Sequence, residues 1–559
     1  MRTGDLDHSG GDLEKGEADT MILESGGFSR PIVRILLAAA LPLLAASPPA
    51  ATAGDRPNVL FIAADDLRPL LGCYGEQAVE TPSIDRLAAR GTTFRRAYCQ
   101  APQCSPSRVS LMFGLRPDTT GHYSNRHPFD RQRFRASPSL PEHFKNHGYH
   151  TQSFGKIYHN ETDHPEGWSV PSSPGRKREM WETVDEAAIA GVEFSKRAQV
   201  PTVIAPRNDC PPIQAPDVPD ETLYGGRMTG QAIAAMAALK DRPFFLAVGY
   251  YRPHLPLVAP KKYFDKYPLD RIRLPQHRQP PAGAPLWSIY NSVTYWHPRA
   301  REVWRIDLDF PKYPSTREEA LRFAGWELRS YRGIPAGGPI SDFLQARVWQ
   351  AYLACVSYID AQVGRMLQAL ETYGLSEKTI VVFWGDHGWH LGEHGTWAKM
   401  TLFEWATRVP LLIAAPGRSQ PSGVESLVEL VDLYPTLCRL AGLPVPKHVE
   451  GSDLVPLLND PERSWKQAAF SHFPRHDHSL GQSMRTDRYR YTEWVGLDGS
   501  IKGTELYDHT ADPLELVNLA ASPTSARTVQ QLARQMKAGW RAARPPEEGS
   551  VPGGKGPAK

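Results

Sequence analysis

With 559 residues, 41% of them hydrophobic and 22% charged, the chain has the make-up of a folded protein large enough to bury a sizeable core, and its composition excludes disorder as the main theme. Its 64 basic and 61 acidic residues are interspersed and leave a net charge of only +3, so charge gives no basic stripe for nucleic acid. The 51 prolines and 14 tryptophans imply many fixed loops and large packed surfaces.

The chain opens with a polar, acidic stretch, after which Arg30 and Arg34 precede an apolar run from Ile35 to Ala46. Followed by Ala51-Thr52-Ala53, this order fits a secretory signal cut near Ala53, with Met1 and Met21 as alternative starts. A run of about a dozen apolar residues is short for a bilayer span. The expected mature protein is therefore exported, to the periplasm or beyond, with no stable membrane insertion. Six cysteines, at 73, 99, 104, 210, 355 and 438, contain no C-x-x-C pair and are too few for a disulfide framework. Cys355 and Cys438 lie in apolar helical patterns and read as buried small hydrophobes.

From Asn58 onward, short apolar runs alternate with helical patterns, which predicts an α/β fold whose strands are buried on both faces. Five strands are predicted. Asn58 to Ala64 stops at Asp65-Asp66, Tyr149 to Phe154 ends in Gly155-Lys156, and Phe244 to Val248 leads to Arg252-Pro253-His254. Ile380 to Trp384 ends at Gly385-Asp386-His387, and Val409 to Ala414 closes with Ala415-Pro416-Gly417. Helices are predicted over Ser83 to Ala89, Pro141 to Asn146, Gly230 to Leu239, Phe343 to Tyr373 and Leu427 to Ala441. Open, mostly parallel sheets bind ligands beyond the carboxyl ends of their strands. Two adjacent carboxylates on one strand end and an Asp-His pair on another make a hard, mostly oxygen site for a divalent cation, with one imidazole. Asp65 and Asp66 also suit a cap for the next helix.

Cys104-Ser105-Pro106-Ser107-Arg108 reads as a loop entering a helix, with Pro106 at its first position and Gly114 as its stop. Cys104 then sits at a helix amino end, where the dipole and free N–H groups favour an anion and acidify a thiol. Arg108, one turn on, adds a guanidinium suited to sulfate or phosphate oxygens. The bare pattern also suggests a thiolate phosphatase, but three residues separate Cys104 from Arg108 where such enzymes have five, and thiolate nucleophiles need no metal.

Cys-x-Pro-Ser-Arg resembles the signature of the sulfatase family, in which the cysteine is oxidised to formylglycine. The resemblance runs from about Asn58 to Leu519, through Ala64-Asp65-Asp66-Leu67-Arg68, Gly155-Lys156 with His159, Arg252-Pro253-His254, Gly385-Asp386-His387-Gly388, and Gly392-Glu393-His394-Gly395 with Lys399. Arg116-Pro117-Asp118-Thr119-Thr120, Ala247-Val248-Gly249-Tyr250 and Ser483 to Thr492 resemble the iduronate-2-sulfatase subgroup.

The resemblance implies an alkaline-phosphatase-like α/β fold, a large mostly parallel sheet sandwiched by helices, with a smaller carboxyl-terminal part containing an antiparallel sheet. It implies that Asp65, Asp66, Asp386 and His387 hold one Ca2+, which also contacts the hydrated aldehyde at residue 104. Many family members carry Asn where His387 stands, and its imidazole also suits transition metals. Of the two hydroxyls of the hydrated aldehyde, one attacks sulfur with help from the metal and Asp386 and expels the sugar alcohol. The other loses its proton to His159, and sulfate leaves as the aldehyde reforms. An unmodified serine or cysteine has no such exit. Arg108, Lys156 and Lys399 are expected on the sulfate oxygens, and His254 as the acid for the leaving oxygen. The implied partners are a sulfated sugar substrate and a formylglycine-generating maturation enzyme.

His390-Leu391-Gly392-Glu393-His394 matches H-x-x-E-H, but Gly388, Gly392 and Gly395 weaken the helix a zinc protease needs there, so a loop is expected. Gly167 to Asp220 and Arg278 to Pro339, the latter with Trp287, Trp296 and Trp304, are long connections of the kind that builds pockets or packs onto the body. Beyond Pro461, short alternating strands at Ser483 to Met484, Tyr489 to Trp494 and Glu505 to Asp508 precede a helix near Thr528 to Ala542. The expected organisation is a leader over 1–53, a catalytic domain over 54–460, a smaller α+β part over 461–545 and a disordered tail over 546–559. The leading reading is a hydrolase for sulfate esters of a uronic acid or related sugar. The alternatives are a phosphodiesterase or phosphonate monoester hydrolase of the same superfamily, and a non-catalytic binder of sulfated glycan if Cys104 stays a thiol.

Overall fold

Seven strands build the main sheet of the computed structural model, which describes residues 56–546 apart from 126–128, 160–162, 172–181, 185–189, 200–201, 205–209, 290–315, 323–324, 336, 419–421 and 476. The leader, the end of the tail, Trp296 and Trp304 lie outside the described residues. In chain order the strands are β1 (Asn58–Asp65), β2 (Thr92–Phe94), β3 (His150–Gly155), β4 (Phe244–Pro253), β5 (Thr379–Gly385), β6 (Leu411–Ala414) and β7 (Ser422–Val424). Across the sheet they run β7-β2-β6-β5-β1-β4-β3, and β6 alone is reversed. Four neighbouring strands, β5, β1, β4 and β3, are mutually parallel, so all end on the same edge. That shared edge carries Lys156, His254, Asp65 and Asp386.

Both faces of β1 are buried, which is why Val59 to Ala64 is continuously apolar. Leu60, Ile62 and Ala64 join one core, and Val59, Phe61 and Ala63 the other. The helices are α1 (Pro82–Ala88), α2 (Cys104–Phe113), α3 (Leu140–Asn146), α4 (Tyr224–Leu239), α5 (Asp342–Thr372) and α6 (Leu433–Leu440). The first core is filled from α4 by Met228, Ala232 and Met236 and from α5 by residues such as Tyr352 and Ile359. The second takes Val109 and Met112 of α2, Phe144 of α3 and Leu437 of α6. All six cysteines are free thiols, and Cys355 and Cys438 lie in these cores as expected.

Three predicted helices shift, and the one placed over Gly230 to Leu239 begins earlier, at Tyr224. The helix placed over Leu427 to Ala441 begins only at Leu433, because Val428 and Glu429 pair as a strand with Ala97 and Tyr98. Helix α2 begins at Cys104 itself, with Gln103 as its cap, so Pro106 is third rather than first. A proline is tolerated there because first-turn N–H groups have no intrahelical partner.

Past the sheet, β8 (Ala468–Pro474), β9 (Leu480–Thr486), β10 (Tyr489–Val495) and β11 (Ile501–Asp508) form an antiparallel meander, against which α7 (Ala526–Ala542) packs Leu532, Met536 and Trp540. Sequence periodicity missed β8. Buried charges tie this part to the main body. Arg116, just after α2, donates both guanidinium ends to Glu429, at 2.7 and 2.5 Å, and Lys466 before β8 donates to Glu429 and Asp432. Removing one partner of a buried pair strands the other charge. Arg116→Ala is expected to cost about 3–5 kcal/mol, read as a lowered thermal midpoint, and a variant that melts with wild type would contradict this.

Among the described residues no helix is long and apolar enough to cross a membrane.

Candidate active site

The edge described above brings together side chains from many separate parts of the chain. At the end of β1 the pairing with β4 shifts register between Ala64 and Asp65, and Asp66 takes a left-handed φ of 62°. That turn reverses the chain at once, leaving both carboxylates on the edge. Non-glycine residues adopt this conformation at a cost and tend to do so at functional sites. The Asp66 carbonyl accepts from Tyr352 Oη of α5 at 2.7 Å, which anchors the turn.

Cys104 is 1% exposed, and its Sγ is the point on which the site converges. It lies 3.2 Å from His387 Nε2, 3.4 Å from Asp65 Oδ1, 3.4 Å from Lys156 Nζ and 3.7 Å from Lys399 Nζ. The expectation of an acidified thiol is corrected here. Burial, followed by the charge of Asp65, pushes the Cys104 thiol well above its ordinary value, outweighing the helix end and both lysines. The unmodified side chain is therefore a protonated thiol and a poor nucleophile.

Ligand atoms of Asp65, Asp66, Cys104 and His387 all lie within 4.8 Å of one another. Asp386 joins them: its Oδ2 is 3.5 Å from His387 Nε2, and its Oδ1 accepts from the Asp66 amide at 3.1 Å. Its backbone is fixed by Ser107, whose hydroxyl donates to the Asp386 carbonyl at 2.5 Å. Among the described residues, none hydrogen-bonds the buried Asp66 Oδ2. Burial first, then the charges of Asp65, Glu327 and Asp386, push the Asp66 carboxyl well above the usual range. His387 Nδ1 sits 3.1 Å from the Gly388 carbonyl, which can only accept, so the hydrogen belongs on Nδ1 and the Nε2 lone pair faces the carboxylates. Burial holds this ring neutral, with a pKa lowered to about 4. Crowded acids, an unpartnered oxygen and an aimed lone pair fit a bound divalent cation.

Five cationic or basic groups, Arg108, Lys156, Lys399, His159 and His254, surround this cluster. Arg108 donates from Nε to Asp386 Oδ2 at 2.9 Å, from Nη2 to Asp65 Oδ1 at 3.3 Å, and from Nη1 to the carbonyls of Lys156 and Ile157 at 2.6 and 2.9 Å. Four of its five donors are thus engaged by protein, so its main task is to hold the carboxylates in place. Lys156 Nζ binds Asp65 Oδ2, and Lys399 Nζ binds Asp66 Oδ1 at 2.6 Å. Burial opposes both ammonium charges, but Asp65 and Asp66 outweigh it, and both stay protonated.

His159 Nε2 is 3.4 Å from Asn125 Nδ2, and Asn125 Oδ1 accepts from the Ser105 amide beside Cys104. Desolvation and the Lys156 charge push His159 well below its ordinary value, leaving a neutral ring. His254 Nδ1 is 2.5 Å from the Leu255 carbonyl, while its Nε2 is 3.4 Å from Glu327 Oε1 and 4.0 Å from Asp66 Oδ2. Burial and then Lys399 lower its pKa to about 3. The candidate site residues Asp65, Asp66, Cys104, Arg108, Lys156, His159, His254, Asp386, His387 and Lys399 are thus gathered around this edge. Sequence reasoning missed Glu327 and Asn125, which belong to connections with no motif around them. The H-x-x-E-H match is no metal site: Glu393–Gly395 is a single tight turn, His390 pairs with Thr401, Glu393 with Arg68, and His394 with the Leu514 carbonyl.

A family model described as Sulfatase matches residues 57–443, and one described as N-sulphoglucosamine sulphohydrolase, C-terminal, matches 392–541. Iduronate 2-sulfatase of Homo sapiens is 35% identical over 542 residues, covering 83% of this chain and 91% of the relative. The Mus musculus protein of that name is 34% identical with the same coverages, and a sulfatase of Formosa agariphila is 33% identical over 83% of each chain. Among solved structures, a phosphonate monoester hydrolase of Agrobacterium radiobacter matches with a TM-score of 0.66 at 24% identity, covering 87% of this chain and 96% of its own. A protein in complex with its substrate D-glucosamine-2-N,6-O-disulfate matches with a TM-score of 0.64 at 22% identity, covering 88% and 100%. At these identities the structural likenesses establish the fold.

Proposed function

The chain belongs to the sulfatase family and is a sulfuric ester hydrolase, and from that premise we propose that it is exported, matured to formylglycine at Cys104, and removes sulfate from a uronic acid or related sugar. Export is supported by the leader pattern around Ile35 to Ala46, and the uronate by the identity to iduronate 2-sulfatases. We assign the chemistry to residues 54–460, with 461–545 as a smaller part carrying the antiparallel meander.

One observation carries the mechanism: the side chain of residue 104 lies among carboxylates suited to a cation and beside two ammonium groups. Asp65, Asp66, Asp386 and His387 would hold one Ca2+, which supplies Lewis-acid charge against the sulfate and the attacking oxygen. Formylglycine, in hydrated form, supplies an oxygen nucleophile and a second hydroxyl through which sulfate can depart. Arg108 keeps Asp65 and Asp386 aimed inward. Lys156 and Lys399 offer fixed positive charge to the sulfate oxygens as negative charge builds in transfer. His159, neutral and linked through Asn125 to the Ser105 amide next to Cys104, takes the proton that must leave the second hydroxyl, and His254 serves the sugar oxygen. Because these groups are already paired and buried, little reorganisation accompanies reaction.

A panel of defined sulfated disaccharides, with an aryl sulfate, a phosphate monoester and a phosphodiester alongside, tests the reading. A 2-sulfated uronate is expected to give the highest kcat/KM, at least about tenfold above a 6-sulfated hexosamine, a gap of about 1.4 kcal/mol in transition-state binding. Preference for the hexosamine would remove the uronate assignment, and greater efficiency on the phosphodiester would favour a phosphodiesterase or phosphonate monoester hydrolase.

A further inference from the structure

We propose that Glu327 is a positioning residue on the leaving-group side of the site, holding His254 and Lys399 where the departing sugar oxygen needs them; this rests on the sulfatase mechanism above. Glu327 comes from the short helix Trp326–Arg329, within the long connection between β4 and α5, and is 4% exposed. Its two oxygens face different partners: Oε1 lies 3.4 Å from His254 Nε2, and Oε2 lies 3.6 Å from Lys399 Nζ. A carboxylate with so little contact with water is costly unless opposite charge faces it. Here the opposite charge belongs to groups already assigned to catalysis.

The orientation of the imidazole follows from its other nitrogen. His254 Nδ1 is 2.5 Å from the Leu255 carbonyl, an acceptor only, so Nδ1 keeps its hydrogen and Nε2 is the nitrogen turned toward the reacting centre. Asp66 Oδ2 and Glu327 Oε1 flank that nitrogen at 4.0 and 3.4 Å. Lys399 is suspended in the same way, with Asp66 Oδ1 at 2.6 Å on the cation side and Glu327 on the other. Without Glu327, Asp66 would draw Lys399 toward the cation cluster, and His254 Nε2 would lose its nearer fixed partner.

The consequence falls on one bond. As the ester S–O bond breaks, its electron pair stays on the sugar oxygen, which takes a proton from His254 Nε2, while the attacking hydroxyl bonds to sulfur and gives its own proton to the Asp386 carboxylate. His254 is neutral at rest, so the proton it gives is taken up from solvent once the anionic ester is bound; Glu327 favours that charged form and touches neither sulfur nor the sugar oxygen. Its influence therefore scales with how badly the leaving oxygen needs a proton.

The test compares Glu327→Gln with wild type on 4-nitrophenyl sulfate, phenyl sulfate and the best sulfated disaccharide. General acid assistance is worth about 10²–10⁴-fold, so the expected loss grows from about 3-fold on 4-nitrophenyl sulfate to about 100-fold on the sugar, mostly in kcat. Glu327→Asp, which keeps the charge on a shorter arm, is expected to recover part of it. An equal loss on every leaving group, as misfolding would give, overturns the role of Glu327, and so does a change confined to KM. A wild type that turns over no sulfate overturns this role and the mechanism together.

Discussion

Cys104→Ala is expected to lower kcat by at least about 10⁴-fold on any sulfate ester, the order seen when an enzyme loses its nucleophile and keeps its binding groups. The residue is the point at which Asp65, Lys156, Lys399 and His387 converge, and neighbouring hydroxyls are committed elsewhere. Ser105 Oγ pairs with His122 Nε2 at 2.7 Å and Ser107 Oγ with the Asp386 carbonyl at 2.5 Å, so neither replaces the lost group. The fold should survive, because the contacts to Sγ are long and weak and the charges around it are paired with one another. Cys104→Ser separates attack from release. A serine oxygen can take the sulfate but has no second hydroxyl through which to expel it. The expected outcome is at most one turnover, with about 80 Da added to the serine variant, the mass of a transferred sulfo group. Sustained turnover by the serine variant would contradict the proposed chemistry.

Asp66→Asn is expected to cost at least about 10³-fold in kcat/KM and to abolish stabilisation by calcium. Among the described residues none hydrogen-bonds the buried Asp66 Oδ2, and burial with Asp65, Glu327 and Asp386 pushes this carboxyl up. A raised acid binds its proton more tightly folded than unfolded, so its contribution to stability falls as pH rises through its ordinary range. A bound cation reverses that penalty. Calcium at about 100 times its dissociation constant should add about 2.7 kcal/mol to wild type, with a larger gain near pH 7 than near pH 5. Asparagine keeps the shape and removes the charge, so Asp66→Asn should melt at the same temperature with and without calcium. A calcium response equal to that of wild type would remove Asp66 from the cation site.

Much of this arrangement is legible in the sequence because the central strands are buried on both faces. Val59 to Ala64 is continuously apolar since odd and even residues enter different cores, and the sudden Asp65-Asp66 then marks where the strand leaves the sheet. The same contrast marks Gly385-Asp386-His387. The strands Thr92–Phe94 and Ser422–Val424, at one side of the sheet, have only three residues each, too few for periodicity to register. Val428 and Glu429 look helical in isolation and are drawn into a strand by Tyr98 and by the Arg116 ion pair, both distant in sequence.

The candidate site divides in the same way. Motif residues sit at strand and helix ends, where a change of residue type is visible. Glu327 has no such frame: its place beside His254 and Lys399 depends on how a long connection folds back. The acidified thiol failed for a related reason. A helix amino end is visible in Cys104-Ser105-Pro106, but the burial of Cys104 and the carboxylate of Asp65 beside it come only from tertiary packing. Arg108 is similar, since sequence shows a guanidinium near an anion site while the fold engages it with Asp65, Asp386 and two carbonyls.

The most direct measurement is the mass of the peptide containing residue 104, taken from protein with confirmed sulfatase turnover. Conversion of the thiol to an aldehyde predicts a peptide about 18 Da lighter than the cysteine form, in a fraction that rises with specific activity. Full activity from protein whose residue 104 is entirely unmodified cysteine would contradict the account.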